Sequence, residues 1–249
     1  SFKSLGKKNI FVRTKRDSNN LINLVSQVNA LVVWGGNSTV NKFRHFDKKP
    51  TCVEAYFPDR TSSLLMNCDQ LLDLTPIEME KICVDFFNDT YLVDQNACSS
   101  ASIIFWYSQH NNFAKAKTLF SKNLNTYLAQ HFKLKTISRV EKVIDVLRYC
   151  ESTNSPVQIE KTSEKLWYVN AQQYKKIKPK LGVFVSKELN DLNQLATMFR
   201  TNEQTLTYFG FDPKDIKASF VKRSSCVIDR IVPLGKALDI GLIWDGKNM

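Results

Sequence analysis

At 249 residues, with 43% apolar and 11% aromatic side chains but only 8 glycines and 7 prolines, the chain has the composition of a folded globular protein, not a disordered or repetitive one. The net charge of +11 comes from scattered Lys and Arg with short clusters such as Lys7-Lys8, Lys175-Lys176-Ile177-Lys178-Pro179-Lys180 and Lys222-Arg223, and no aromatics interleave with them. This argues against a nucleic-acid partner and for attraction of a small polyanion such as a phosphorylated dinucleotide or coenzyme A; no apolar run approaches the ~20 residues of a membrane span, and the start SFKSLGKKNIFVR is a poor signal peptide, which points to the cytoplasm.

Residues 9–13 read as a short strand, 20–28 as a helix with apolar residues at helical spacing, and 30–34 as a continuous apolar strand buried on both faces of a parallel sheet. That strand runs into Gly35-Gly36-Asn37-Ser38-Thr39, where the glycines permit a tight turn and Asn37 or Ser38 caps a helix over 40–46. A strand, glycine turn and helix start is where α/β sheets bind phosphates, although Gly-Gly-Asn-Ser-Thr lacks the full G-x-G-x-x-G pattern and a plain turn is an equal reading. Residues 51–56 and 63–66 follow as strands. Thr75-Pro76-Ile77-Glu78 is a capping box with proline at the first helical position, so a helix runs to about Phe87 and buries Ile82, Cys83, Phe86 and Phe87. Further on, 103–107 is a buried strand, 112–130 a long helix and 138–150 another, with Val140, Val143, Ile144 and Leu147 at helical spacing. Strands at 165–169 and 181–185, a helix at 189–199, a strand at 206–209, a helix opened by Asp212-Pro213 and a strand-like 227–232 complete an alternating α/β chain.

None of the six cysteines stands in a C-x-x-C pair, so reduced thiols are expected, and His45, His110 and His131 have no metal-ligand spacing. Cys83 and Cys150 lie on apolar helical faces and read as packing. Cys98 differs. In Asp94-Gln95-Asn96-Ala97-Cys98-Ser99-Ser100 its neighbours are small and polar, which lets a substrate approach and leaves backbone N–H groups to face a developing oxyanion. Its sequence neighbourhood contains no histidine, though a spatial partner such as His110 or His131 would make a cofactor-independent acyltransferase or thioesterase. Glu54, on a strand-like segment, reads on its own as a solvent-facing glutamate.

Three stretches, Val32-Val33-Trp34-Gly35-Gly36, the Cys98 segment 94–100, and Asp229-Arg-Ile-Val-Pro-Leu-Gly-Lys-Ala-Leu-Asp-Ile-Gly-Leu-Ile-Trp-Asp-Gly246, closely resemble the long-chain acyl-CoA reductases of bacterial bioluminescence. That family is a branch of the aldehyde dehydrogenase superfamily, and the resemblance covers nearly the whole chain. It implies an aldehyde dehydrogenase-like α/β fold, with 1–66 the end of a Rossmann-type cofactor-binding domain and 67–249 the catalytic domain with its tail. It further implies that Cys98 accepts the fatty acyl group as a thioester and that Trp34, Gly35, Gly36, Asn37 and Ser38 hold the cofactor, NADPH. Val40 replaces the usual last glycine of that turn. Glu54 falls at the superfamily's general-base position, but Tyr56 and Phe57 stand where glycines usually follow. The implied substrate is a long-chain acyl-CoA, and the implied partners are acyl-protein synthetase and acyl-transferase subunits and further copies of the chain. Family members are about twice this length, so the chain resembles the C-terminal half of such an enzyme and is expected to show little reductase activity alone.

Overall fold

The protein is described by a computed structural model over residues 8–153, 156–171, 178–199, 202–221 and 228–248. It divides into two compact units at Asp59/Arg60.

The first unit contains helix α1 (Asn19–Gln27), strand β1 (Ala30–Trp34), helix α2 (Asn37–Arg44) and strand β2 (Val53–Phe57). The two strands pair in parallel, from Ala30 opposite Val53 to Trp34 opposite Phe57, as the hydrophobic runs require when a helix connects them. Ser18 Oγ caps α1 by accepting from the Leu21 N–H. Val25, Val33, Val40 and Phe57 are buried. Burial of β1 on both faces does not occur: strand alternation turns Val33 inward and leaves Val32 and Trp34 60% and 57% exposed. Nor do residues 9–13 form a strand: Ile10, Phe11 and Val12 are exposed, so the apolar run is not covered by a neighbouring element.

The second unit is built on seven strands: β3 (Thr61–Asn67), β4 (Ile103–Tyr107), β5 (Val157–Lys161), β6 (Trp167–Ala171), β7 (Val183–Leu189), β8 (Glu203–Phe209) and β9 (Arg230–Pro233). Their order is β5-β6-β7-β4-β3-β8-β9, and every pairing is parallel except β5 with β6. Helices α3 (Cys68–Leu72), α4 (Pro76–Asp89) and α5 (Phe113–His131) cover the face that carries Leu64, Met66, Ile104 and Trp106. Helices α6 (Thr136–Ser152), α7 (Asn193–Met198) and α8 (Pro213–Val221) cover the face that carries Leu65, Ile103, Phe105 and Val185. Each large side chain so buried contributes ~1.5–3 kcal/mol. The division at 59/60 keeps β3 in one unit with β4 and β8, the two strands it pairs with.

The capping box forms as read: Thr75 Oγ1 accepts from the Glu78 N–H and the Glu78 carboxylate accepts from the Thr75 N–H at 2.9 Å. A short hairpin, β10 (Ile243–Trp244) and β11 (Lys247–Asn248), turns at Asp245-Gly246, both at positive φ, the Asp-Gly signature of a tight hairpin. Residues 189–192 stay out of α7 because β7 runs on to Leu189. Strand β5, mostly exposed, carries no apolar run to announce it. Helix α6 turns opposite to its apolar stripe: Val140 and Leu147 are exposed, while Ser138, Lys142, Val146 and Tyr149 are buried. Bulky Tyr149 and Val146 take the sheet side, and this carries Lys142 in with them. No helix among the described residues is long and apolar enough to cross a membrane.

Lys142 Nζ donates to the Glu164 carbonyl at 2.8 Å and lies 5.1 Å from the Trp167 ring centre. Burial pushes its amine down to about 7. The unfolded chain therefore holds this proton up to about pH 10.4 while the folded chain releases it near 7, so stability rises with pH between those values. Lys142→Met is expected to add about 1–3 kcal/mol at neutral pH and to flatten that rise, as measured by urea unfolding at pH 7 and pH 9.5.

Candidate functional site

Strands β3, β4, β7, β8 and β9 are parallel, so the segments that enter them share one edge of the sheet. Cys98 lies there, half-buried, on the loop that enters β4. The loop's base is fixed by Gln95, whose side chain is fully buried. Its amide nitrogen donates to the Ala101 carbonyl at 3.1 Å and to the Val183 carbonyl at 3.2 Å, and its amide oxygen accepts from the Gly182 N–H at 2.6 Å. One side chain thus closes the cysteine loop on itself and ties it to the start of β7. Asp94 and Gln95 are both left-handed, at φ 51° and 55°, a conformation that costs non-glycine residues roughly 1–3 kcal/mol apiece and persists only where surrounding contacts enforce it.

Three further side chains contact the loop. Ser62 Oγ, on β3, donates to the Cys98 carbonyl at 2.7 Å and accepts from the Thr205 N–H of β8 at 3.1 Å. Lys178 Nζ donates to the Ala97 carbonyl at 2.8 Å, and Lys180 Nζ donates to Asn96 Oδ1 at 3.0 Å. The N–H groups of Cys98 and Ser99 have no protein acceptor among the described residues, and the Ser100 hydroxyl is buried without a partner. The loop that carries the thiol thus has N–H donors without a protein acceptor among the described residues, groups that an oxyanion formed at Cys98 could use.

The C-terminal segment is knitted to the same edge. Arg60 pairs with Asp229 and Asp245 and donates to the Glu203 carbonyl at 2.8 Å, while Gln204 Nε2 donates to Asp245 Oδ1 at 2.6 Å. Burial holds the Asp229 carboxyl above the ordinary range, with Arg60 opposing it. Asp89, at the end of α4, accepts from the Gly235 and Ala237 N–H groups at 2.7 and 2.9 Å. Arg230 gathers the carbonyls of Lys236, Ala237 and Asp239 and stacks over Trp244 at 4.6 Å. The charged residues of the motif act as fasteners of its own loop.

In the first unit, the glycine turn lies at the carboxyl end of β1 as expected, with the exposed Trp34 stacked on Phe57 at 4.1 Å. Gly36, rather than Asn37 or Ser38, is the N-cap of α2. Capping is supplied from afar: the Asp59 carboxylate accepts from the Asn37 N–H at 2.8 Å, and Asn37 Oδ1 accepts from the Asp59 N–H. A side chain on Gly36 would come within 3.3 Å of that carboxylate. The backbone therefore suits an anion, as a pyrophosphate site needs, and Asp59 must turn aside for one to reach the Asn37 N–H. Glu54 receives the Tyr56 hydroxyl and a 3.0 Å ion pair from Lys48, and these hold its carboxyl below the usual range. That makes it a weak base.

His110 lies past the carboxyl end of β4, whereas Cys98 precedes its amino end, and His131 stacks on Tyr127 at 4.2 Å at the end of α5. Among the other thiols, burial pushes Cys68 and Cys83 up to about 12, which makes them inert packing groups; Cys226 and Lys175-Lys176 lie outside the described residues. Gln95 and Ser62 carry no sequence signal beyond proximity to Cys98 or to a strand start.

The sequence model of the acyl-CoA reductase (LuxC) family matches residues 9–138. A comparison with curated protein sequences gave no match. Similar solved structures include apo betaine aldehyde dehydrogenase of Staphylococcus aureus (11% identity, TM-score 0.53, covering 83% of this chain and 44% of that one). Propionaldehyde dehydrogenase of Rhodopseudomonas palustris with bound propionyl-CoA has 10% identity and a TM-score of 0.53, covering 90% and 51%. NAD-dependent aldehyde dehydrogenase of Sinorhizobium meliloti has 6% identity and a TM-score of 0.55, covering 86% and 45%. The chain has the aldehyde dehydrogenase fold and spans about half the length of these relatives.

Gln95→Leu, close to the same volume, strips three backbone groups of their partners at once. Urea unfolding is expected to show a loss of about 2–4 kcal/mol, and no loss would show that the amide does not hold the loop.

Proposed function

Because the chain belongs to the acyl-CoA reductase (LuxC) family, we propose that it carries the acyl-accepting part of an enzyme that reduces a long-chain fatty acyl-CoA, or an acyl-protein thioester, to fatty aldehyde with NADPH. The observation that carries this reading is the half-buried Cys98 on a loop cinched by Gln95, beside N–H groups of Cys98 and Ser99 with no protein acceptor among the described residues. The first unit serves as the end of the cofactor-binding domain and the second as the catalytic domain.

The Cys98 thiolate attacks the thioester carbonyl, and the Cys98 and Ser99 N–H groups receive the oxyanion. The tetrahedral adduct expels the coenzyme A thiolate and leaves an acyl thioester on Cys98. A bound nicotinamide supplies the hydride that reduces this carbonyl. The resulting thiohemiacetal alkoxide on Cys98 then collapses, so the carbonyl re-forms as aldehyde and the Cys98 thiolate departs. Trp34, Gly35, Gly36, Asn37 and Ser38 would hold the dinucleotide, a role supported by the glycine turn at a helix start. Release of aldehyde needs no activated water, which fits Glu54 neutralised by Lys48 and Tyr56. The setting we propose is cytoplasmic, with aldehyde supplied for light emission by a complex that includes acyl-protein synthetase and acyl-transferase subunits and further copies of this chain.

The rival reading, a cofactor-independent acyltransferase or thioesterase, needs a histidine at Cys98. The placement of His110, past the opposite end of β4 from Cys98, counts against that residue as the partner. In the full-length protein, aldehyde formation from myristoyl-CoA is expected to require dinucleotide, to run faster with NADPH than NADH, and to fall by about 10³-fold or more in Cys98→Ser. Release of free fatty acid at full rate without dinucleotide would establish the hydrolase instead.

A further inference from the structure

Helix α6 is apolar on two sides, and only one of them meets the sheet. Val146 and Tyr149 are buried together with Ser138 and Lys142, whereas Ile137, Val140, Ile144 and Leu147 are between 40% and 62% exposed. Their spacing of three, four and three residues keeps these four in one line along the outer side of the helix. A helix that is apolar on opposite sides is ordinarily covered on both. Glu141 and Arg148, seven residues apart, lie beside the line on one flank, and Val143 and Cys150 lie beside it on the other, uncharged flank. Glu141 makes no ion pair among the described residues, and Arg148 has only Asp145 of its own helix at 3.7 Å, an exposed contact of little strength. Ile159 of the edge strand β5 stands opposite the buried Val169, on the sheet face that α6 covers, and it too is exposed. The apolar surface thus continues beyond the helix.

We propose that this outer line is an interface between two copies of the chain, in which α6 packs antiparallel on α6 of the second copy about a two-fold axis that passes Ile144. A two-fold axis that sets two facing helices antiparallel brings each flank against the same flank of the partner, so one sequence supplies both sides of every contact. With the axis at Ile144, Val140 meets the partner's Leu147 and Glu141 meets the partner's Arg148, and each contact occurs twice. An axis one turn earlier would set Glu141 against its own copy. Parallel helices would face the charged flank to the uncharged one and leave all four charges unmatched. The charge pattern therefore favours one occupant, one direction and one register. Exposed ion pairs add little affinity; they choose among arrangements, while the apolar line drives the contact. The inference rests on the reading that further copies of this chain take part, to which it adds a surface, and is independent of the role of Cys98.

The test is cross-linking in the full-length protein. Ile144→Cys puts a thiol on the proposed axis, opposite its own copy, and Val221→Cys, at the exposed end of α8, is the control. A short bismaleimide is added, and peptide mapping counts only bridges between two introduced thiols. I144C is expected to bridge about tenfold more than V221C. Adding E141R or R148E alone sets like charges at both symmetric contacts and is expected to lower the yield about tenfold, and the swap E141R/R148E is expected to restore it. Restoration by the swap also shows that the single variants fail through charge and not through folding. A yield no greater than that of V221C, or a swap that stays as low as the single variants, would overturn the proposal. So would a bridge from position 144 to a different subunit of the complex in place of the second copy. Light scattering of the wild type separates this from the wider reading: oligomers without the bridge mean that copies meet elsewhere, and a monomer at every concentration removes the further copies as well.

Discussion

One buried primary amide sets the geometry of the second unit's working edge. Gln95 exchanges three hydrogen bonds with Ala101, Gly182 and Val183, so two loops that enter neighbouring strands cannot move independently. Desolvating an amide is costly unless its donors and acceptor are met, and here all are met by backbone. Those bonds offset the left-handed conformations of Asp94 and Gln95, and the strain is what lifts the small residues 96–100 out as a loop instead of an extra turn of helix. Ser62 completes the arrangement by linking the Cys98 carbonyl to β3 and β8.

The charged groups of this edge serve as fasteners. Asp89, Arg60, Asp229, Asp245 and Arg230 spend their hydrogen bonds on the C-terminal segment, which explains why a long motif rich in Asp, Arg and Gly holds its shape without an apolar core of its own. Lys178 and Lys180 end on the cysteine loop, at the Ala97 carbonyl and Asn96 Oδ1. In the first unit, too, a carboxylate serves as a fastener. The glycine turn sits at the carboxyl end of β1, its helix start already carries the Asp59 carboxylate, and any bound pyrophosphate must compete with that internal anion.

Much of this was legible in the residues. The capping box at Thr75-Pro76-Ile77-Glu78 and the alternation of strands and helices follow from local chemistry that tertiary contacts had no reason to override. Other features were hidden because they depend on partners distant in sequence. The cap of α2 comes from Asp59, 22 residues away, and Gln95 bonds Gly182, 87 residues away. Helix α6 offered two candidate faces, and its apolar stripe lost to the face that carries Tyr149 and Lys142. Strand β5 escaped notice because an exposed edge strand needs no hydrophobic run. Residues 9–13 had the run but leave Ile10, Phe11 and Val12 exposed.

The central claim is that Cys98 itself becomes acylated. Peptide mapping of the full-length protein after exposure to myristoyl-CoA, with dinucleotide withheld, tests it directly. A hydroxylamine-labile mass increase of one myristoyl group on the peptide that contains Cys98 is the predicted result. Persistence of that thioester in Cys98→Ser, or its appearance on another cysteine of the wild type, would contradict the account.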